Sequence, residues 1–215
     1  MSASLQKSSA GAVLRHGVPT PLTNEAPSSW MSRLAMAQGR PLKEIMAVLQ
    51  ISLRQRWDPD LALLGTRLPR LLQQCSLHRS AFSYAAGSMS LLNCTDIKAS
   101  PALLTWRDRS RFRYCPACLA TSPIPYLDIR WRIADWRHCL RHSCLLEDRC
   151  WKCDAYITYP VDMEQSAAGQ AGHASQRRCQ RCSADLAAVG PAYVDFRRPG
   201  VVTQIELYRR HRCWP

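Results

Sequence analysis

Residues 114–153 carry the pattern that decides the fold, and they read YCPACLATSPIPYLDIRWRIADWRHCLRHSCLLEDRCWKC. Potential metal ligands recur here with two-residue gaps, and a further pair follows downstream. The pairs are Cys115/Cys118, Cys139/His142, Cys150/Cys153 and Cys179/Cys182. Zinc takes four nitrogen or sulfur ligands in a tetrahedron, and a Cys-x2-Cys turn aims two sulfurs at one ion. The four pairs therefore predict two zinc ions per chain.

The order of the pairs favours sequential pairing. The first ion would take Cys115, Cys118, Cys139 and His142, and the second Cys150, Cys153, Cys179 and Cys182. Each set then closes a loop of only about 20–25 residues, which costs less conformational entropy than a longer loop. Interleaved pairing stays open, as do Cys144 and His138 as rival ligands of the first ion. Because four protein ligands leave no position for water, we expect structural rather than catalytic zinc.

The composition excludes several classes of protein. Of the 215 residues, 47% are hydrophobic, which is enough for a packed core. No apolar run approaches the length of a transmembrane helix, and the N-terminus lacks the apolar stretch of a signal peptide, so we expect a cytoplasmic protein. Lys and Arg number 29 against 16 Asp and Glu, a net charge of +13. This excess of positive charge favours a polyanionic partner such as nucleic acid. The alternative is that the charge only keeps the protein soluble.

Changes in pattern divide the chain into four segments. They are a flexible leader over 1–17, a helical domain over 18–100, a double zinc-ribbon domain over 101–190 and a tail over 191–215 that could hold a short helix. The expected fold is a small α+β protein, with an N-terminal all-helical, helix-turn-helix-like domain followed by two zinc-ribbon-like modules.

Capping signals locate the predicted helices. Asn24 or Ser28 is expected to cap the first helix, and residues 58–60 (Asp-Pro-Asp) are typical of a helix start. Residues 68–86 predict a helix, a tight turn and a second helix from about 79. The second helix of a DNA-binding helix-turn-helix enters the major groove, where Arg79 would face DNA. The alternative is an interior helical hairpin that docks a protein.

Alternating arginines follow the helical region and predict a strand with one basic face. They are Arg107, Arg109, Arg111 and Arg113. Because a guanidinium binds phosphate through a two-pronged fork, these arginines are candidates for nucleic-acid contacts. The alternative is a merely solvated charge run.

Catalytic motifs are missing from the sequence. We find no nucleophile elbow, phosphate loop or Gly-rich dinucleotide turn, and the scattered acidic residues form no carboxylate trio for two-metal catalysis. We therefore expect a protein that is not an enzyme, and a zinc-dependent nuclease or hydrolase is the less favoured alternative.

Two blocks of sequence resemble the TniQ family. The first, residues 19–35, reads PTPLTNEAPSSWMSRLA, and the second contains the Tyr-Cys-Pro-x-Cys motif at 114–118 together with the remaining ligand pairs. The resemblance covers about 18–190. The family motif at this place usually reads Cys-Pro-x-His-Gly, whereas residues 139–143 of this chain read Cys-Leu-Arg-His-Ser. The ligands are kept, but the chemistry of the turn changes.

The resemblance implies an accessory protein of bacterial transposition that takes part in target-site selection. It implies a helix-turn-helix domain with zinc ribbons that connects target DNA, or an RNA-guided DNA-bound complex, to the transposon's AAA+ ATPase. We therefore expect a non-catalytic, zinc-stabilised adaptor with these partners and no membrane, and a homodimer is left open. A stand-alone, sequence-specific DNA-binding regulator is the alternative.

Overall fold

The computed structural model describes residue 14 and residues 16–51, 58–90, 101–159 and 175–210. Helices dominate the first half of the chain, and short antiparallel strands dominate the second half. The N-terminal helices are α1 Pro27–Ala37, α2 Leu42–Val48, α3 Pro59–Leu64, α4 Leu68–Gln74 and α5 Ser83–Ser90. The later helices are α6 Pro116–Thr121 and α7 Pro199–Arg210, with 3-10 turns at Ile129–Arg132 and Leu186–Ala188. The strands are β1 Thr105–Trp106, β2 Arg109–Phe112, β3 His138–Cys139, β4 Cys144–Leu145 and β5 Ile157–Thr158. This mixture confirms the small α+β class.

Local chemistry sets the helix starts. The Asp58 carboxylate accepts hydrogen bonds from the amides of Asp60 and Leu61, so α3 begins as predicted. The cap predicted for α1 was wrong, because Ala26 precedes the helix without a side-chain cap and Pro27 removes one free amide. Ser28 lies inside α1, where its amide donates to Asp60 Oδ1.

The connection between α4 and α5 differs from the predicted tight turn. Ser76 does adopt a left-handed backbone with φ of 49°. However, α5 begins at Ser83 instead of about 79, and Phe82 is also left-handed with φ of 64°. The resulting connection is longer than the turn of about three to four residues in a helix-turn-helix. Arg79 therefore lies in this exposed connection and not on a helix.

The predicted basic strand is a hairpin. Arg107 and Asp108 both have positive φ, of 48° and 59°, as a two-residue type I′ turn requires. Strand β2 then begins at Arg109 and pairs with β1 on one side and β5 on the other, in the sheet order β1-β2-β5. The second sheet is the β3–β4 hairpin, in which Cys139 lies opposite Cys144.

One hydrophobic cluster spans both halves of the chain. Its large buried members include Trp30, Leu34, Phe112, Leu127 and Trp131. Polar contacts reinforce this packing around Ser29, whose hydroxyl donates to Gln176 Oε1 at 2.7 Å and accepts from the Leu127 amide at 3.0 Å. Residues from both predicted domains therefore share a core.

A buried ion cluster joins the same halves. The Arg132 side chain is 0% exposed, and its Nη2 lies 2.6 Å from Asp58 Oδ2 while its Nη1 lies 2.8 Å from Asp60 Oδ2. The Ser110 hydroxyl also donates to Asp58. Burial alone would lower the pKa of Arg132, but the attraction of Asp58 and Asp60 holds it above its ordinary value. Asp58 therefore has two roles, because it caps α3 and also pairs with Arg132 from the second half of the chain.

Helix α7 anchors the C-terminal tail. The sequence predicted that the tail over 191–215 could hold a short helix, and the residues beyond 210 lie outside the described part of the chain. The Gln204 side chain accepts from the amides of Arg137 and His138 and donates to the His138 carbonyl. Among the described residues, no helix has both the length and the apolarity that a membrane crossing would need.

Candidate metal centres and basic surface

The first cluster of potential ligands joins α6 to the β3–β4 hairpin. Cys115 is the N-cap of α6, and its sulfur accepts from the Cys118 amide at 3.3 Å. Cys139 ends β3, and His142 lies in the turn before β4. The four potential ligand atoms all lie within 4.8 Å of one another. These residues could hold a metal ion between two elements that share no backbone pairing of their own.

The distances in the first cluster fit zinc. The sulfurs of Cys118 and Cys139 are 3.6 Å apart. The His142 Nδ1 atom lies 3.6 Å from Cys115 Sγ and 3.2 Å from Cys118 Sγ. Bonds of about 2.3 Å to sulfur and about 2.0 Å to nitrogen give tetrahedral edges of about 3.8 Å and about 3.5 Å. The donor atoms are therefore spaced as a tetrahedral ion requires, with Nδ1 of His142 facing the sulfurs.

The second cluster consists of cysteines only. Cys150 Sγ lies 3.7 Å from Cys182 Sγ, and Cys153 Sγ lies 3.6 Å from Cys179 Sγ. Both knuckles end alike, since Asp154 and Ser183 each adopt φ of 56° and donate their amides to the carbonyls of Cys150 and Cys179. In the first cluster Ser143 occupies the same position with φ of 51°. Four sulfurs at tetrahedral spacing are again a fit for zinc.

Each cluster contains two ligand pairs that are consecutive in the sequence, as sequential pairing requires. Interleaved pairing would instead bring together pairs that are not consecutive. The rival ligand His138 directs its ring to Gln204, with Nδ1 3.2 Å from Oε1. The rival Cys144 is fully buried beside the first cluster, with its sulfur 3.6 Å from Cys115 Sγ. Hydrogen bonds from the thiols of Cys115, Cys118 and Cys144 hold the pKa of Cys139 well below its ordinary range.

The five arginines predicted to contact nucleic acid have different environments. Arg107 and Arg109 are exposed on the β1–β2 hairpin, and Arg79 is exposed in the connection between α4 and α5. Arg111 and Arg113 are half-buried, and their guanidinium groups lie 3.2 Å and 3.3 Å from Asp148. Arg113 also donates to backbone carbonyls, including that of Trp136. The Arg111 guanidinium also lies 4.5 Å from the centroid of the Tyr156 ring. The guanidinium groups of Arg111 and Arg113 are therefore already engaged by contacts within the protein.

An aromatic cluster beside the hairpin was missed by the sequence reasoning. The Trp106 ring is 39% exposed, and its centroid lies 5.6 Å from that of Tyr156. Arg107 stacks over Trp106 at 4.5 Å, and Arg149 stacks over Tyr156 at 4.3 Å. Adjacent aromatic and basic residues at 106–107 were the only signal in the sequence. A cavity of about 340 Å³ opens between these rings and Arg181.

The family comparison covers the first cluster but not the second. The TniQ family model matches residues 17–146, which is more than half of the chain and includes α1 to α6 with the ligands Cys115 to His142. No curated protein matches the chain.

Proposed function

Because the chain belongs to the TniQ family, we propose that it is a non-catalytic, zinc-stabilised adaptor of bacterial DNA transposition. The TniQ domain implies a transposition-associated accessory protein. The family match is the observation that carries the proposal, and the two ligand clusters support its zinc-dependent form. The adaptor would act in the cytoplasm, between target DNA, or an RNA-guided DNA-bound complex, and the transposon's AAA+ ATPase.

In this proposal the two zinc ions are structural. Each cluster offers four protein ligands, so a bound ion keeps no open position at which water could be activated. Zinc would link α6 to the β3–β4 hairpin at the first cluster and the two knuckles at the second. These cross-links would add to the hydrophobic core that both halves share, because the short strands pair over only a few residues.

The adaptor needs two binding surfaces. The exposed arginines of the β1–β2 hairpin support a contact with DNA phosphates, and we assign the contact with the ATPase to the helices of the N-terminal half. Simultaneous binding at both faces raises the effective concentration of the ATPase at the target. No reaction at the protein itself is required.

Retention of the ATPase on target DNA tests this role. We expect the AAA+ ATPase of the same transposon to be retained on immobilised target DNA, or on DNA carrying the targeting complex, only when this chain is present. Retention that does not depend on the chain, together with tight sequence-specific binding by the chain alone, would instead identify a stand-alone regulator. Metal-dependent cleavage of the DNA would identify an enzyme.

Salt dependence tests the hairpin arginines. Replacing both Arg107 and Arg109 with alanine is expected to weaken duplex binding equally for all sequences. The slope of log K against log salt should fall by about 0.9 for each lost phosphate contact, or about 2 in total. Arg141→Ala is the matched control, because Arg141 is exposed in the β3–β4 turn. An unchanged slope in the double variant would remove the hairpin from the DNA-binding surface.

A further inference from the structure

We infer that the cavity beside the β1–β2 hairpin binds an unpaired nucleotide of a single-stranded nucleic acid. The base would lie against Trp106, and the phosphate against Arg181. This inference deepens the proposed contact with target DNA or its targeting complex, and it rests on that function for the origin of the strand. The shared chemistry is an unstacked base with its phosphate, whether the strand is DNA or RNA.

Aromatic rings form one wall of the cavity. Trp106 and Tyr156 both line it, tilted by 53° to each other. Arg107 covers the indole but does not line the cavity, so it holds the ring from outside. Arg149 fixes the other ring twice, by stacking over it and by donating to the Tyr156 hydroxyl at 2.6 Å. The rings are thereby held in place before a ligand arrives.

The remaining walls carry positive charge and a polar amide. Arg181 is exposed at the rim, and the carboxylate of Asp154 is already paired with Arg149. Gln180 donates its Nε2 to the Thr158 carbonyl at 2.8 Å. That bond orients the amide, whose oxygen is an acceptor for the edge of a base. The cavity thus combines a stacking surface, a cation for phosphate and an acceptor.

A single strand with unpaired bases matches the stacking surface, the cation and the acceptor of this cavity better than duplex DNA or an acidic protein segment does. In a duplex each base face is covered by its neighbours, so a base can reach Trp106 only when it is unstacked. An acidic peptide would use the arginines but leave the rings without a matching flat partner. Stacking on aromatic side chains combined with a basic rim is the usual mode of single-strand binding.

Binding to labelled oligonucleotides tests the inference. We expect oligothymidylate or oligouridylate of about ten nucleotides to bind more tightly than a duplex of the same length. Trp106→Ala should weaken this binding about tenfold, and Trp106→Phe should restore most of it. Arg181→Gln should lower the salt slope by about 0.7, as the loss of one single-strand phosphate contact requires. The tighter of the two oligonucleotides identifies the strand as DNA or RNA.

Matched variants guard against indirect effects. Trp151→Ala removes another exposed tryptophan, which is 53% exposed and does not line the cavity, so single-strand affinity should stay unchanged. Arg141→Gln serves the same purpose for Arg181. Zinc content and melting temperature of each variant show that the fold is intact. Equal affinities of Trp106→Ala and the wild-type chain, or displacement of the oligonucleotide by polyglutamate at equal charge, would overturn the inference.

The outcome separates this inference from the proposed function. A chain that retains the ATPase on target DNA but binds single strands no better than duplex overturns the inference alone. A chain that binds single strands through Trp106 but never retains the ATPase overturns the adaptor role alone.

Discussion

The Cys115→Ser variant is expected to lose one of two zinc ions and to unfold cooperatively at a much lower temperature. The apparent free energy of a structural zinc is about 10–16 kcal/mol, as large as the whole folding stability of an ordinary domain, about 5–15 kcal/mol. Because both halves share one core, helical signal should be lost in the same transition as the strands. Elemental analysis and thermal melting by circular dichroism measure the two effects.

Cys144→Ser is the matched control for this experiment. Both cysteines are fully buried, and their sulfurs are 3.6 Å apart, but Cys144 lies outside the four-ligand group. The control should keep two zinc ions. Cys150→Ser should in turn empty the second cluster. Two zinc ions and an unchanged melting curve in Cys115→Ser would refute the ligand assignment, and metal loss in Cys144→Ser would make Cys144 a ligand.

Arg132→Ala is expected to lower the free energy of unfolding by about 3–5 kcal/mol. The substitution leaves the carboxylates of Asp58 and Asp60 together in the interior without their cation. Desolvation and mutual repulsion then oppose folding, and the α3 cap loses the partner that fixes it. Urea unfolding followed by circular dichroism gives the free-energy change directly.

Arg149→Ala is the corresponding surface control. Arg149 pairs with Asp154 and contacts Tyr156 at the surface, where 44% of the Arg149 side chain and 76% of the Asp154 side chain are accessible. Its loss should therefore cost only about 1–2 kcal/mol. If Arg132→Ala and Arg149→Ala were equally stable, the buried ion cluster would have no special part in joining the two halves.

Local chemistry made part of this structure predictable. The two-residue spacing of the ligands fixed the knuckles, because a turn of that length brings two sulfurs to one point. Asp58 followed by Pro59 correctly predicted the start of α3. These features depend only on neighbours in the sequence.

Long-range contacts explain what the sequence did not reveal. The arginine alternation predicted one basic face, but Asp148 pairs with Arg111 and Arg113 from a segment more than thirty residues later. The start of α5 was misplaced because tertiary packing buries Phe82 in a left-handed conformation that ends the preceding turn. Trp106 and Tyr156 are fifty residues apart, and the pairing of β2 with both β1 and β5 brings them together.

The contacts of Ser29 with Gln176 and Leu127 bear on where the proposed adaptor would direct insertion of the transposon into target DNA. They tie α1 directly to the zinc-binding half, and we therefore expect the helices proposed to contact the ATPase to keep a fixed position relative to the hairpin proposed to contact DNA. In an adaptor of this kind, the dimensions of the protein would fix the spacing between its two partners. Insertions guided by it would then fall at a constant distance from the target site.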